Sequence, residues 1–447
     1  MKRSFFGTDG IRGAADGPFF TDAFLSALGA ALCCMLKEQN APLSVVIGRD
    51  TRASGQRILD ALARALTEGG IQVTNAGIVP TPAVPAIVRY RSAGLGIAVT
   101  ASHNPYNDNG IKLFKADGYK LCDAVELEIE EKIRAFMAQS YAPNGDAVMD
   151  MVDGGAIYLE SLPHLLPKDA LHGMKIVLDT ANGATAKTSE VALQALGAEL
   201  YRIGNAPDGV NINQGIGSEH PEVMSKAVLE WGADLGIAHD GDGDRLILCD
   251  EKGQVLDGDT WLAIVGRYLS AEDALPGKAV VATVMSNLGL EECLGKVGAT
   301  VVRSQVGDRY VLEEMRLHGS VLGGESSGHF ILGQHATTGD GLLAALYLLK
   351  VLRDSDVPLS RLSQCIRYFP QKKKNLQVKE RMALESLPCM QKELNELKEW
   401  LGHDGRILLR YSGTEPKIRL LVEHKNDEQA SEGMEKLESI VVKYLGS

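Results

Sequence analysis

Three aspartates recur at alternate positions, Asp240, Asp242 and Asp244, between the apolar stretches LGIAH and RLILCD. In an extended chain, residues at i, i+2 and i+4 point to the same side, so these carboxylates converge on one point. A hard divalent cation relieves their mutual repulsion, and the intervening glycines let the backbone wrap closely around it. The run predicts a metal site, with a solvated acidic turn as the alternative.

Magnesium suits this run better than calcium does. The spacing matches an EF-hand loop as far as Glu251 at position twelve, but Arg245 stands at position six, where the sharp turn requires glycine. No predicted helices flank the run, so a calcium sensor is disfavoured. Three carboxylates leave coordination positions open for a phosphate oxygen, which favours Mg²⁺.

A candidate nucleophile, Ser102, lies in the string TASHNP that follows the apolar run GLGIAV. A strand that ends in a tight Asn-Pro turn exposes the serine at its carboxyl edge, where open α/β sheets usually bind ligands. The string lacks the G-x-S-x-G elbow of hydrolases, which argues against acyl transfer. By themselves, Ser102 and His103 are typical of ordinary turn chemistry, and Lys112 in DNGIKLF of a strand-edge charge. Beside a nucleophile, Lys112 can transfer a proton or attract phosphate.

Two later loops carry groups suited to a phosphorylated sugar. The string GGESSGH (323–329) offers donors and acceptors that suit sugar hydroxyls, although a structural turn explains it equally well. The string RYSGTEP (410–416), with Arg419 soon after, offers bidentate Arg donors, hydroxyls and a glycine that admits close backbone approach. This composition predicts an oxyanion cradle, with a solvated hairpin as the alternative.

The elements that must position these loops repeat along the chain. A β run, a turn, a helical stretch, a glycine and a second β run recur over 44–77, 175–204 and 279–307. This alternation indicates parallel βαβ units and three related α/β domains, with one fold around a large sheet as the alternative. The remaining chain predicts a smaller α+β domain, entered through a hinge at 361–375 that contains Lys372, Lys373 and Lys374.

Composition restricts the location and the partners of the chain. The 447 residues exceed what one hydrophobic core usually organises. Lys and Arg number 46 against 58 Asp and Glu, and the net charge of -12 repels nucleic acids and anionic membranes. The longest strongly apolar stretch, Leu342 to Leu349, is far shorter than the ~20 residues that span a bilayer. No secretory signal is visible, and the seven cysteines show no metal-ligand spacing. We expect a cytoplasmic protein without nucleic-acid or membrane partners.

Taken in order, the four strings closely resemble the α-D-phosphohexomutase family over essentially the whole chain. The strings FGTDGIRG (6–13) and VGDR (306–309) are similar to its bacterial phosphoglucosamine mutase branch. Ser326 and Tyr411 depart from that branch, which commonly has Gln and Pro there. The resemblance implies three mixed α/β domains with βαβ units (1–152, 153–252 and 253–367), a smaller α+β domain (368–447) and an active site in a central cleft.

The resemblance also implies roles for single residues. Ser102 is the implied phosphoserine, and it binds one Mg²⁺ together with Asp240, Asp242 and Asp244. The residues around the transferring phosphoryl group are Arg12, His103, Lys112 and Arg245. The residues that recognise the sugar are Glu325, Ser327 and His329. The residues that hold the non-reacting phosphate are Arg410, Ser412, Gly413, Thr414 and Arg419.

The implied activity is that of an isomerase acting on a small phosphosugar. It interconverts glucosamine 6-phosphate and glucosamine 1-phosphate through the phosphoserine and a hexosamine 1,6-bisphosphate, feeding UDP-N-acetylglucosamine synthesis. The bisphosphate turns over between two half-reactions, and a mobile last domain can hold it meanwhile. The alternatives are phosphomannomutase/phosphoglucomutase activity, a non-catalytic phosphosugar-binding protein and a phosphatase. The expected assembly is a monomer or a homodimer.

Overall fold

Four β-sheets follow one another along the chain. The structure is a computed structural model that describes residues 4–7, 9–379, 381–411 and 417–446. Within these residues the sheets have six, five, four and three strands. The expectation of three mixed α/β domains and a smaller α+β domain is confirmed, and the alternative of one large sheet is wrong. The domain boundaries at 152, 252 and 367 stay predictions.

The first sheet carries the TASHNP string at one edge. Its strands are β1 Ile11–Ala14, β2 Ser44–Arg49, β3 Gln72–Ile78, β4 Leu95–Val99, β5 Asp108–Lys115 and β6 Met149–Met151. Its helices are α1 Asp22–Glu38, α2 Ser54–Glu68, α3 Ala83–Arg91 and α4 Asp123–Ala138. The order is β1-β5-β4-β2-β3-β6, in which β2 and β4 are parallel neighbours. The segments that follow these two strands, from Asp50 and from Thr100, therefore meet at the same edge of the sheet.

The second sheet places the aspartate run in a tight connection. Its strands are β7 Lys175–Asp179, β8 Glu199–Ile203, β9 Leu235–Ala238, β10 Ile247–Asp250 and β11 Val255–Leu256, and its helices are α5 Gly154–Ser161, α6 Thr188–Ala195 and α7 Pro221–Trp231. The order is β11-β10-β9-β7-β8. Strand β9 is parallel to β7 but antiparallel to β10, so the chain reverses between 239 and 246.

The third sheet places the GGESSGH string between two paired strands. Its strands are β12 Ala279–Thr283, β13 Thr300–Ser304, β14 Leu322–Gly324 and β15 Phe330–Leu332. Its helices are α8 Gly258–Ala271, α9 Leu288–Gly295, α10 Asp308–His318, α11 Gly341–Ser355 and α12 Leu359–Leu362. Strand β14 runs parallel to β12, so the loop after β14 and the loop after β12 leave the sheet at one edge.

The fourth sheet is antiparallel throughout. Its strands are β16 Gln371–Gln377, β17 Gly405–Tyr411 and β18 Lys417–His424 in the order β16-β18-β17, and its helices are α13 Pro388–Leu401 and α14 Asp427–Leu445. The last part of the expected hinge at 361–375 is a strand, because Lys372, Lys373 and Lys374 lie inside the edge strand β16. The hinge itself stays a prediction. Seven residues of β16 pair with β18, and the exposed edge tolerates lysines because their heads reach solvent.

The apolar cores separate the last domain from the other three. One buried cluster joins side chains of the first three domains, among them Val84, Ile237 and Leu343. The last domain has a cluster of its own, formed between its sheet and its two helices around Leu420 and Leu437. The last domain therefore has a hydrophobic core that does not depend on the rest of the chain.

Two further features bear on sequence expectations. Among the described residues, no helix combines the length and the apolar character needed to cross a membrane. All seven cysteines are free thiols, and Cys122 and Cys389 are exposed.

Candidate active site

The backbone holds Ser102 in an unusual conformation after β4. Its φ is +52°, a left-handed value that is uncommon for residues other than glycine, and its side chain is almost fully buried. The Ser102 amide donates to Thr100 Oγ1 at 2.9 Å, and its carbonyl accepts from Asn213 Nδ2 at 2.9 Å. Hydrogen bonds thus hold both the amide and the carbonyl of Ser102, and its hydroxyl is buried.

The Arg52 side chain holds this turn through hydrogen bonds to its backbone. Its side chain is fully buried and pairs with Asp50 at 2.9 Å. The guanidinium donates to the carbonyl oxygens of Ser102, Asn104 and Asp108 at 2.8 to 3.0 Å. Sequence reasoning missed this residue. The available signal was its place immediately after β2, because charged residues at the carboxyl edge of a buried parallel strand are candidates for a site.

The aspartate run converges as its spacing predicts. Asp240, Asp242 and Asp244 are all buried, and one oxygen of each lies within 4.8 Å of the others. The Ser102 hydroxyl donates to Asp240 Oδ2 at 2.6 Å, across a sequence separation of 138 residues. A Cβ at Gly241 would lie 2.7 Å from the Ser102 carbonyl oxygen, so this close approach requires glycine.

Lys112 from β5 lies among these carboxylates. Its Nζ lies 2.9 Å from Asp242 Oδ2 and 3.0 Å from Asp244 Oδ2, and Asp9 Oδ2 is 3.0 Å away. Burial opposes the charged form, but the three carboxylates outweigh it and raise the pKa of Lys112 well above its ordinary value. Lys112 thus forms ion pairs with all three carboxylates.

The residues present fit a divalent cation. Asp242 Oδ1 and Asp244 Oδ1 are buried and have no hydrogen-bond partner among the described residues. Burial first, and then the charges of Asp242 and Asp244, raise the pKa of Asp240 well above its ordinary value. Two buried carboxylate oxygens without a hydrogen bond, of which Asp244 Oδ1 lies 3.6 Å from His329 Nδ1, suit a hard, oxygen-ligated cation beside the third carboxylate. The triad can hold a metal ion.

A cleft of about 320 Å³ joins this triad to the third domain. Its walls include Arg12, His103 and Arg245 together with Glu325 and His329. The His103 Nδ1 lies 3.2 Å from Ser102 Oγ, and burial first and then the charge of Arg245 lower the pKa of His103. The central cleft expected from the sequence is present, and it brings the TASHNP, DGDGDR and GGESSGH strings together.

Comparison with known proteins identifies the family. A phosphoglucosamine mutase from Desulfovibrio desulfuricans is 43% identical over 450 residues, which cover 100% of both chains. A phosphoglucosamine mutase from Brucella ovis is 44% identical over 426 residues, 95% of this chain and 94% of the relative. The chain belongs to the phosphoglucomutase/phosphomannomutase family. The four domain models of that family match in order, namely alpha/beta/alpha domain I at 3–139, domain II at 156–253, domain III at 257–369 and the C-terminal domain at 374–439. The expected family and its isomerase activity are confirmed.

Solved structures share the fold over nearly the whole chain. A phosphoglucomutase/phosphomannomutase family protein from Burkholderia thailandensis has a TM-score of 0.82 at 24% identity, covering 99% of each chain. An N-acetylphosphoglucosamine mutase from Aspergillus fumigatus, solved with GlcNAc-6P and magnesium, has a TM-score of 0.62 at 16% identity, covering 98% of this chain and 96% of that one.

The GGESSGH string, predicted to recognise the sugar, lies only partly in the cleft. Glu325 and His329 line it, whereas Ser327 is exposed and does not. Burial opposes the charged imidazolium of His329, but Asp244, Asp308 and Glu325 outweigh it and raise the pKa of His329 to about 9. His329 is therefore cationic at neutral pH.

The predicted oxyanion cradle, 410–416 with Arg419, lies only partly within the described residues. Arg410 and Arg419 lie on the last sheet, beside a separate cavity of about 210 Å³. Ser412, Gly413 and Thr414 lie outside the described residues.

A chain of ion pairs across the cleft was missed at the sequence level. Lys120 contacts both Asp9 of the first domain and Asp308 of the third. Asp9 also pairs with Lys112, so the chain continues to the aspartate run of the second domain. Asp9 and Asp308 belong to FGTDGIRG and VGDR, the two strings that are similar to one branch of the family. The presence of an aspartate in each of these two strings was the sequence signal that could have pointed to these ion pairs.

Proposed function

We propose that this chain is a phosphoglucosamine mutase, in which Ser102 carries the phosphoryl group between the two ends of a glucosamine phosphate. The observation that carries the proposal is the 2.6 Å contact of the Ser102 hydroxyl with Asp240, at one end of a cleft whose other wall offers Glu325 and His329. The names of the full-length relatives support glucosamine as the sugar.

The reaction consists of two phosphoryl transfers. In the first, a bond forms between phosphorus and a free hydroxyl oxygen of the sugar phosphate, which gives up its proton, while the bond from phosphorus to Ser102 Oγ breaks and Oγ takes up a proton. The product is a 1,6-bisphosphate, which reorients in the cleft. In the second, Ser102 Oγ gives up its proton and bonds to the other phosphorus, while the bond from that phosphorus to its sugar oxygen breaks and the sugar oxygen takes up a proton. Each transfer therefore needs groups that neutralise charge on the phosphoryl oxygens.

Several side chains around Ser102 carry the positive charge that would neutralise the phosphoryl oxygens. Arg245 donates to Glu219 Oε1 at 2.8 Å and lies in the cleft beside His103, and Arg12 enters from β1. Lys112 Nζ contacts both Asp242 and Asp244, at 2.9 and 3.0 Å. Asp240, Asp242 and Asp244 would hold a Mg²⁺, which would supply a further positive charge beside the transferring phosphoryl group.

Replacement of the nucleophile tests the proposal. Ser102→Ala should abolish conversion of glucosamine 6-phosphate to glucosamine 1-phosphate. Intact-protein mass spectrometry of the active wild type should find one phosphoryl group, on the peptide that contains Ser102. Ser140→Ala is a matched control, because Ser140 has the same φ of +52° but is exposed. Near-normal turnover by Ser102→Ala would overturn the assignment.

The choice of sugar needs its own measurement. Turnover of glucosamine, mannose and glucose phosphates is compared with the same bisphosphate activator. We expect the highest kcat/KM for the glucosamine phosphate; a preference for mannose or glucose phosphates would make the chain a phosphomannomutase or phosphoglucomutase. Release of inorganic phosphate faster than isomerisation would indicate a phosphatase, and tight binding without turnover a phosphosugar-binding protein.

A further inference from the structure

The two helices of the last domain, α13 and α14, pack against one face of its sheet. Side chains alternate between the two faces of a strand, and Ile418, Leu420 and Val422 of β18 pack under α13 and α14 in the apolar core. The residues between them therefore point to the opposite face, which we call the open face. It includes Arg419, Leu421 and Glu423 of β18 and the residues paired with them in β16 and β17.

The basic run of β16 divides between these two faces. Lys372 pairs with Asp427 at 2.7 Å and Lys374 with Glu438 at 2.5 Å, both on helix α14. Lys373 lies between them in the strand and so points to the open face, where it is opposite Leu421. Lys373 therefore lies on the opposite face from Asp427 and Glu438, the acidic residues that pair with Lys372 and Lys374.

Two arginines face each other on the open face. Arg410 of β17 is directly opposite Arg419 of β18, and Asn375 of β16 is opposite Arg419 on its other side. Like charges in directly opposed positions destabilise a sheet unless an anion lies between them. Burial first, and then the charge of Arg419, lower the pKa of Arg410.

Three of the cations on this face have no internal counter-charge in the part of the chain that the structure describes, whereas Arg406 pairs with Glu423. Among the described residues, no carboxylate forms an ion pair with Lys373, Arg410 or Arg419. Together with Asn375, these three side chains line the cavity of about 210 Å³, whose remaining walls include Leu408 and Met285. In a chain of net charge -12, three unpaired cations around one cavity indicate a site for an external anion.

The open face is turned toward the sugar-recognition edge of the third domain. Arg406 pairs with Glu423 at 2.7 Å and donates to the carbonyl of Val284 at 3.0 Å, and Glu423 accepts from the Leu288 amide at 2.7 Å. The clamped segment, 284–288, follows β12, and β12 and β14 end at the same edge of their sheet. The loop that carries Glu325 follows β14, so the anion cavity adjoins the edge at which the sugar is proposed to bind.

Resting on the proposed function, we propose that Lys373 and Asn375 bind, together with Arg410 and Arg419, the phosphate monoester at the end of the sugar remote from Ser102. The phosphate cradle then extends across all three strands of the last sheet, beyond the 410–416 string. A dianionic monoester suits it, because three cations converge on one cavity and the Asn375 amide adds a neutral donor.

The two neighbouring lysines provide a matched test. Lys373→Gln and Lys374→Gln are made in the full chain on a Ser102→Ala background, which prevents turnover, and glucosamine 1,6-bisphosphate binding is measured by calorimetry. We expect Lys373→Gln to raise Kd about tenfold, as for a lost charge-assisted hydrogen bond, and Lys374→Gln to change it less than twofold. Asn375→Ala should raise Kd by a smaller factor. Both lysines are on an exposed edge, so the melting temperatures should match that of the parent.

The outcomes separate this inference from the proposed function. Equal Kd values for Lys373→Gln and Lys374→Gln, or no binding of the bisphosphate, would overturn the inference. Binding of inorganic phosphate as tightly as the bisphosphate would also overturn it, because the site would then take free phosphate. Failure of the proposed function appears elsewhere, as a lack of glucosamine phosphate turnover in the wild-type chain with Ser102 intact.

Discussion

At the scale of single residues, the candidate site is a balance of buried charges. Asp240, Asp242 and Asp244 form one cluster, in which Asp240 accepts from the Ser102 hydroxyl. Lys112 contacts both Asp242 and Asp244. A buried charge that loses its partner is costly, typically about 3–5 kcal/mol. The stability of this cluster should therefore depend on Lys112 and on the divalent ion together.

Lys112→Met should make folding depend on magnesium. The variant leaves Asp9, Asp242 and Asp244 without their shared cation, so we expect the melting temperature to fall strongly in EDTA. A bound divalent ion replaces the lost charge, and most of the loss should be recovered in excess Mg²⁺. Differential scanning calorimetry in both buffers measures this.

Lys115→Met is the matched control for that experiment. Lys115 is in the same strand but pairs with the exposed Asp117 at 2.8 Å, where ion pairs contribute little. It should melt like the wild type in both buffers. Equal losses for Lys112→Met in EDTA and in Mg²⁺ would contradict a metal site at the triad.

At the scale of elements, turns and caps hold the reactive groups. The edge shared by β2 and β4 brings Arg52 to the Ser102 turn. Its guanidinium donates there to four backbone carbonyls, those of Ser102, Asn104, Pro105 and Asp108. No other side chain type offers so many donors in a planar fork. Arg52 is thus a positioning residue for the nucleophile.

Arg52→Lys should lower kcat more than it affects binding. The lysine keeps the charge beside Asp50 but loses most of the hydrogen bonds to the turn, and a small displacement of a reacting group can cost about a hundredfold in rate. We expect kcat to fall about a hundredfold and KM to change less than threefold. Arg57→Lys, at an exposed pair with Asp22, is the control and should keep wild-type values. A change in KM alone would refute the positioning role.

Helix α11 begins at a buried carboxyl group that should make stability depend on pH. Asp340 accepts from the Leu343 amide at 2.9 Å and from the Tyr158 hydroxyl at 2.7 Å. Burial raises the pKa of Asp340 to about 6, despite these hydrogen bonds. Because the folded pKa exceeds the unfolded one, this contribution is fully present below about pH 4 and is lost as pH rises through about 6.

Asp340→Asn should remove that pH dependence. The amide keeps the helix cap but does not titrate, so the variant should lack a loss of about 3 kcal/mol, as an order of magnitude, between pH 4 and 6. Denaturant unfolding of both proteins across this range measures the difference. Asp153→Asn, at the exposed cap of α5, should leave the wild-type profile unchanged. Parallel profiles for Asp340→Asn and the wild type would contradict the prediction.

At the scale of the whole molecule, the cleft depends on contacts between domains. The first three domains share one apolar core, and Lys120 adds an ionic contact between Asp9 and Asp308 across the cleft. The last domain has its own core and reaches the third through Arg406 and Glu423. The first three domains are therefore held together by a shared apolar core, whereas the last domain contacts the third through polar groups.

Lys120→Met should loosen the contact between the first and third domains. It leaves Asp9 and Asp308 without their shared cation, so we expect kcat/KM to fall about tenfold or more and hydrogen exchange to accelerate in 117–123 and 308–318. Lys132→Met, which removes an exposed pair with Glu38, is the control. Faster exchange with unchanged kcat/KM would show that the contact is purely structural.

The strands and loops that carry the candidate site could be predicted from the sequence, because they depend on residues close together in the chain. The strands that precede Ser102, Asp240 and Glu325 are apolar runs ended by turn residues, and such patterns act over a few residues. The sequence did not show that the lysine run belongs to a strand, because three successive lysines are polar as a run but alternate between two faces once they form a strand. Arg52 and Lys120 could not be assigned, because their partners belong to other strands and another domain.

The sequence by itself determined the chemistry available: a serine at a strand end, a triad of aspartates and loops suited to sugar and phosphate. Only the tertiary structure decided that the Ser102 hydroxyl lies 2.6 Å from an aspartate 138 residues away, and that Lys373 faces the arginines while its neighbours face helix α14. The physical reason is that local patterns specify strands and turns, whereas the packing of buried sheets and domains sets which strand ends meet.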